Sequence, residues 1–298
     1  MLFFATDRIY RTTEKLFQIV ECKACRLIRL EPRPTNAELE RYDPDACWPE
    51  FAATRLEHAS CRFLLRDQVA FVREALSHSD GRGYVLDAGC RDGLLLSMVP
   101  WPRILGLDPS RRALTTAWRY NGVPGACAGL DAAPLPASSC SVVAMLHMLE
   151  YRRDPVACLK AAYDLLTPEG RLVIQAANAS SWQFMMFGER WNGLDAPRAL
   201  YCYRERDIEN LLSFCGFEIV RRKHFSLENA AGLAATLLPG YDPRVRRRRG
   251  ERNRIGGILK SAAFLGAMAA ALPFTMVGAA CGAGSTVLIE ARKKPASR

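Results

Sequence analysis

Tyr84-Val85-Leu86-Asp87-Ala88-Gly89-Cys90-Arg91-Asp92-Gly93 is the stretch from which the fold can be read. Four residues of strand character end in an acid, a glycine turn follows, and the apolar run at 94–99 can start a helix. Such a strand–turn–helix unit aims backbone N–H groups at a ligand, and glycine lets that ligand approach the backbone closely. A dinucleotide loop of the G-x-G-x-x-G kind, counted from Gly89, requires glycine where this chain has Arg91 and Leu94. The dehydrogenase reading therefore fails on spacing.

The spacing D-x-G-x-x-x-G resembles motif I of class I S-adenosyl-L-methionine (SAM) dependent methyltransferases, with Arg91 at the middle glycine. The chain outward from it keeps the same rhythm. Residues 103–108 read as a second strand ending in Asp108, placed where doubly wound folds put the carboxylate that accepts ribose hydroxyls. Pro109-Ser110 then starts a helix to Tyr120. Residues 129–136 resemble the family's G-D-x-x-x-L-P segment, which implies that Asp131 lies near the adenine amino group. The run at 141–149 has the continuous apolarity of a central parallel strand. Its end, His147 to Pro155, resembles the signature L-E-H-x-x-D-P, with Tyr151 at the histidine. Asp154 caps a helix to Leu166, the turn 167–170 leads into a strand at 171–175, residues 204–214 form a helix, and 217–224 and 286–291 are the last two strands. The expected fold is α/β: a doubly wound, mostly parallel, Rossmann-like sheet of seven strands with a helical insertion before the last one.

The resemblance implies cofactor contacts at Asp87, Gly89, Cys90, Gly93, Asp108, Pro109, Leu130, Asp131 and His147. It offers His147 and Tyr151 as catalytic groups at the mouth of the crevice. Residues 188–198 resemble a substrate-covering loop of one methyltransferase subfamily, with Ala199 at its histidine; Trp191 and Tyr201 are the substrate candidates there. The implied activity is methyl transfer from SAM to an oxygen or carbon of a small-molecule, lipid or glycan acceptor. The alternative is a non-catalytic SAM-fold scaffold or regulator in a biosynthetic complex.

Upstream, residues 1–46 read as an appendage to a methyltransferase domain at 47–298. Two short strands, at 17–21 and 27–30, flank Cys22-Lys23-Ala24-Cys25, which resembles half of a zinc ribbon. A tetrahedral site needs four ligands, no second C-x-x-C exists and Cys47 and Cys61 stand singly, so no metal is expected. The helix expected at 51–76 puts Phe63, Leu64, Val69, Phe71, Val72 and Leu76 on one stripe.

With 298 residues, 49% of them hydrophobic and 24% charged, the chain can bury a large core and is not disordered by composition. Eleven scattered cysteines and an N-terminus without a basic head and long apolar core point to a reducing, cytoplasmic setting. The net charge of +10 is uneven, concentrated in Arg244, Arg246, Arg247, Arg248, Arg249, Arg252 and Arg254. A local run of this kind suits an anionic membrane surface and gives no specific nucleic-acid reading. Within the apolar insertion at 229–283, the chain carries no formal charge from Ser261 onward. Burial against the fold and interfacial contact with a membrane both fit it, whereas Pro273 and the strand beginning near Thr286 argue against a span.

Overall fold

The computed structural model describes residues 1–42, 55–248 and 254–295. Cys47, Arg249 and Arg252 lie outside the described residues. Three short strands open the chain, β1 (Phe3–Ala5), β2 (Phe17–Glu21) and β3 (Ile28–Glu31), followed by α1 (Asn36–Tyr42). Helix α1 starts on a reciprocal cap, in which Thr35 Oγ1 accepts from Glu38 N and Glu38 Oε2 accepts from Thr35 N. Then come α2 (Arg55–Ser77), β4 (Tyr84–Ala88), α3 (Leu94–Ser97), β5 (Ile104–Leu107), α4 (Arg111–Asn121), β6 (Gly125–Ala126), β7 (Cys140–Leu146), α5 (Pro155–Leu165) and β8 (Leu166–Ala177). The chain continues through α6 (Trp182–Phe187), β9 (Tyr201–Cys202), α7 (Glu205–Phe214), β10 (Phe217–Lys223), α8 (Leu227–Leu237), α9 (Pro243–Arg248), α10 (Arg254–Ala280) and β11 (Thr286–Lys293).

By packing, the described chain forms two units. One holds residues 55–176, 206–223 and 287–295; the other holds 1–42, 177–205, 224–248 and 254–286. The first is built on a seven-stranded sheet of order β10-β11-β8-β7-β4-β5-β6, as expected. Strands β8, β7, β4, β5 and β6 pair in parallel, and β11 runs antiparallel to β10. Every residue of β7 up to Met145 is buried, which is why that segment reads as one apolar run.

Three elements differ from the sequence expectation, each for a local reason. Helix α3 is a single turn, because Met98 and Val99 donate to Leu95 and Leu96 in tightened geometry and Pro100 follows. Strand β7 stops at Leu146, because His147 turns into a left-handed conformation (φ 50°). The turn at 167–170 sits inside β8 as an irregularity, the register stepping from Cys140↔Leu166 to Val142↔Arg171. On α2, Val69, Phe71, Val72 and Ala75 are buried, but Phe63 is 51% exposed, with the Arg66 guanidinium over its ring at 4.5 Å.

The second unit is organised by the sheet β1-β2-β3-β9, with β3 paired to Tyr201 and Cys202 across a long sequence separation. Phe17, Ile19, Ile28 and Leu30 pack there with Tyr42, Phe184, Trp191 and Leu194. Arg198 is buried beside them, giving bonds to Asp7 Oδ1 at 2.9 Å, Asp195 Oδ1 at 2.8 Å and Tyr42 O at 3.0 Å. Burial alone would raise the Asp7 carboxyl, but Arg198 and the Thr12 hydroxyl and N–H hold it below its ordinary value. The β2–β3 turn carries Cys22 and Cys25 as free thiols, with Arg26 at φ 65°. Among the described residues no group of three or more side chains could hold a metal.

In the first unit Glu290, on β11, is fully buried and stands between cations, with Arg221 Nη2 at 2.8 Å and Arg171 Nε at 3.5 Å, and His78 Nδ1 at 3.0 Å. Deleting that carboxylate leaves the buried Arg171 guanidinium without its carboxylate, while Arg221 keeps Glu74. Glu290→Ala is expected to lower unfolding free energy by about 3–5 kcal/mol in denaturant titration, well beyond a surface ion-pair deletion such as Glu218→Ala.

Candidate active site

Parallel pairing sets Asp87 of β4 opposite Gly106 of β5, so the two strands end side by side and Asp108 follows one residue past β5. The turn after β4 is then closed by backbone bonds. Gly89 N and Cys90 N donate to Leu107 O at 2.7 and 3.0 Å, and Arg91 N donates to Asp108 Oδ2 at 3.0 Å. Asp108 Oδ1 accepts from Ser110 N at 2.8 Å, at the start of α4.

Each motif residue has its own reason. Gly89 has φ 79°, and a Cβ there would come within 3.3 Å of Met148 Cγ. Gly93, at φ 73°, lies so close to the next helix that a Cβ would meet Val123 Cβ at 2.9 Å and Ala117 Cβ at 3.0 Å. Arg91 also has a left-handed backbone, φ 52°. That conformation is the physical reason for a glycine at this place, and an L side chain costs about 1–2 kcal/mol there. The cost coincides with a gain, because the Arg91 charge acts on both Asp87 and Asp108.

Those acids are 4% and 2% exposed. Burial pushes Asp87 up to about 7, and the charge of Asp108 adds to the rise. Burial also raises Asp108, partly offset by the Ser110 and Arg91 N–H groups. Asp87 has no hydrogen-bond partner among the described residues. Cys90, by contrast, is engaged elsewhere: its thiol fills the space a Cβ on Gly106 would take, and burial pushes it far above its ordinary value.

A cavity of about 180 Å³ opens beyond the carboxyl ends of β4 and β5, at the point where the chain order of the sheet reverses. Of the expected residues, Gly89, Pro109, Leu130 and Asp131 line it. Leu130 and Asp131 stand on a short 3₁₀ turn, Leu130–Ala132. Asp87, Cys90, Gly93, Asp108 and His147 are not among its lining; they shape the turn, its floor and the neighbouring strand end. Residues that sequence reasoning missed complete the wall: Met148, Arg152, Arg153, Ala157 and Cys158. Arg152 and Arg153 occupy the two free places of the L-E-H-x-x-D-P signature, and Ala157 N donates the cap bond to Asp154 Oδ1, so only their position next to that signature could have flagged them.

His147 donates its backbone N–H to Gln175 O at 2.8 Å, and its Nδ1 lies 3.4 Å from Glu150 Oε1. The Glu150 side chain is 4% exposed and the His147 side chain 30%. Tyr151 ends the 3₁₀ turn Leu149–Tyr151. Trp191 and Tyr201 belong to the other unit and pack within it, Trp191 edge-on to Phe184 at 5.4 Å and Tyr201 stacked on Tyr203 at 5.6 Å.

The residues present fit SAM. An unbonded buried carboxyl, Asp87, suits a ligand with cationic groups, and small walls at Ala88, Gly89 and Gly129 opposite Met148 and Leu130 suit a flat ring. Comparison with known proteins agrees. A methyltransferase-domain family model matches residues 56–222. No curated protein sequence matches the chain. Among solved structures, geranyl diphosphate C-methyltransferase from Streptomyces coelicolor is similar at 15% identity and TM-score 0.51, over 82% of this chain and 87% of that one. The YcgJ protein from Bacillus subtilis is similar at 12% identity and TM-score 0.50, over 77% and 99%. At these identities the two structures speak for the fold.

Asp87 supplies a pH test. With its folded-state value raised to about 7, the native state holds a proton that the unfolded state gives up near pH 4. Ligand-free stability should therefore fall as pH rises from about 4 to about 7 and level off above. Asp87→Asn is expected to flatten that slope and to gain on the parent by as much as 2–4 kcal/mol, order of magnitude, at pH 8 in thermal or urea melts.

Proposed function

We propose that this chain, which belongs to the methyltransferase-domain family, methylates an oxygen or carbon of a small-molecule, lipid or glycan acceptor with His147 as the base. Family membership makes it a SAM-dependent methyltransferase and favours an enzyme over a scaffold. SAM supplies an electrophilic methyl group, so the protein's contribution is alignment, exclusion of water and proton removal.

The assignment of roles follows from the chemistry of each group. Asp108, whose oxygens keep lone pairs beyond the two backbone bonds, accepts ribose hydroxyls, and Asp131 accepts from the adenine amino group. Asp87 balances the cationic end. The single observation supporting a base is the His147–Glu150 pair past the end of β7, with Met148, the next residue, in the cavity wall. Glu150 orients Nδ1–H, which leaves Nε2 as the acceptor for the proton of a hydroxyl or acidic carbon. Trp191 and Tyr201 are assigned to acceptor binding, and Tyr151 to the mouth of the site. All described cysteines are free thiols, which supports a cytoplasmic setting.

Calorimetry with SAM, and radiolabel transfer from methyl-labelled SAM to fractionated small molecules and lipids, test the reading. Asp108→Ala should weaken SAM binding by about 1.5–3 kcal/mol, since charged-group hydrogen bonds are lost. His147→Gln should leave SAM binding intact and slow label transfer by about 10²–10⁴-fold. NADH binding more tightly than SAM, or undiminished transfer by His147→Gln, would refute the respective assignment.

A further inference from the structure

Helix α10 is the longest element, 27 residues or about 40 Å, and it is continuous through Pro273. One side packs within its own unit. Phe264, Met268, Ala271 and Leu272 meet Ala230, Leu233, Ala234 and Ala235 of α8, and Phe274 lies against Trp182 of α6 at 5.8 Å. The opposite side is open. Ile258 is 68% exposed, Leu259 72%, Leu265 57%, Met276 57% and Val277 54%. At 3.6 residues per turn, Ile258, Leu265 and Met276 fall on one line, about 100–140° around the helix from Phe264 and Ala271. Burial against the fold, one of the two dispositions the sequence allowed, thus covers only part of the helix: 22% of its apolar stretch is buried.

A helix that faces water carries charge on its outer side. This one carries none from Ser261 to its end, so its open face is a contiguous apolar surface awaiting a partner. The chain itself says which partner. The arginine run of 244–254 immediately precedes the helix, and Lys260 adds to it. Arg246 Nη1 is bonded to Ser261 Oγ at 2.9 Å, which fixes Arg246 beside the first turns of the apolar face. Apolar surface flanked at one end by concentrated positive charge is complementary to a bilayer with anionic headgroups.

A single crossing is excluded by topology. Strands β10 and β11 flank the helical segment in sequence and are hydrogen-bonded neighbours, so the segment must return to the side it left. We propose that the outer face of α10 lies in the interfacial layer of an anionic phospholipid bilayer, held at its N-terminal end by the arginine run.

Vesicle flotation with the full chain tests this without an acceptor or SAM, so it stands or falls apart from the methyl-transfer reading. The protein should float with phosphatidylcholine–phosphatidylglycerol vesicles, weakly or not at all with phosphatidylcholine alone, and less in high salt. Each surface arginine contributes about fivefold. Replacing Arg246, Arg247, Arg248 and Arg249 by Gln should therefore weaken partitioning on the order of a hundredfold or more. The triple variant Leu259→Glu, Leu265→Glu, Met276→Glu changes only exposed positions. It should abolish flotation while melting and SAM affinity stay at parental values. No flotation on any vesicle, flotation unchanged by the triple variant, or resistance to alkaline extraction would overturn the proposal. So would a dimer in light scattering that the triple variant dissolves in the absence of vesicle binding.

Discussion

The bond from Arg91 N to Asp108 Oδ2 ties the end of one parallel strand to the end of the next, and the crevice exists because of it. It holds the turn after β4 in place, it engages a carboxylate that burial would otherwise penalise, and through Ser110 it connects to the start of α4. The arrangement carries internal tension. Two acids are gathered at neighbouring strand ends, one of them without a hydrogen bond, and a left-handed arginine stands where glycine would be relaxed. Arginine at that place lends positive charge to both acids, and Arg152 and Arg153 add more at the cavity wall. The site is thus organised before a ligand arrives.

What the sequence made legible is what local rules govern. The strand at Tyr84, the acid at Asp108, the cap at Asp154 and the apolar β7 follow from propensity, capping and periodicity, and stand where these place them, β7 ending three residues early. Illegible were features decided at long range. Strands of two or three residues, such as β9 and β1, have no period to read and exist because β3 and β2 pair with them. Met148 and Cys158 enter the cavity wall because β7 ends beside the cavity and α5 starts there. Phe63 fits the apolar stripe on a wheel yet emerges into solvent, since a stripe gives direction but not the reach of its neighbours.

The segment at 188–198 shows the limit of motif reasoning. Its likeness to a substrate-covering loop rests on residue order, whereas its packing makes it part of a core. Trp191 and Leu194 are buried with the strands of the small sheet, and Arg198 is locked between Asp7 and Asp195. A loop anchored through a buried bidentate ion pair is stiff.

Strand β11 lies between β8 and β10 in space and follows both in sequence. On the ribosome, then, two strands are finished while the one that joins them is still unmade. At about 5–20 residues per second the interval lasts several seconds, during which both edges offer unpaired N–H and C=O groups and the apolar α10 also emerges. The nascent chain is at its most adhesive just before it completes its sheet. Slower, cooler synthesis with abundant holdase is the setting that suits such an interval.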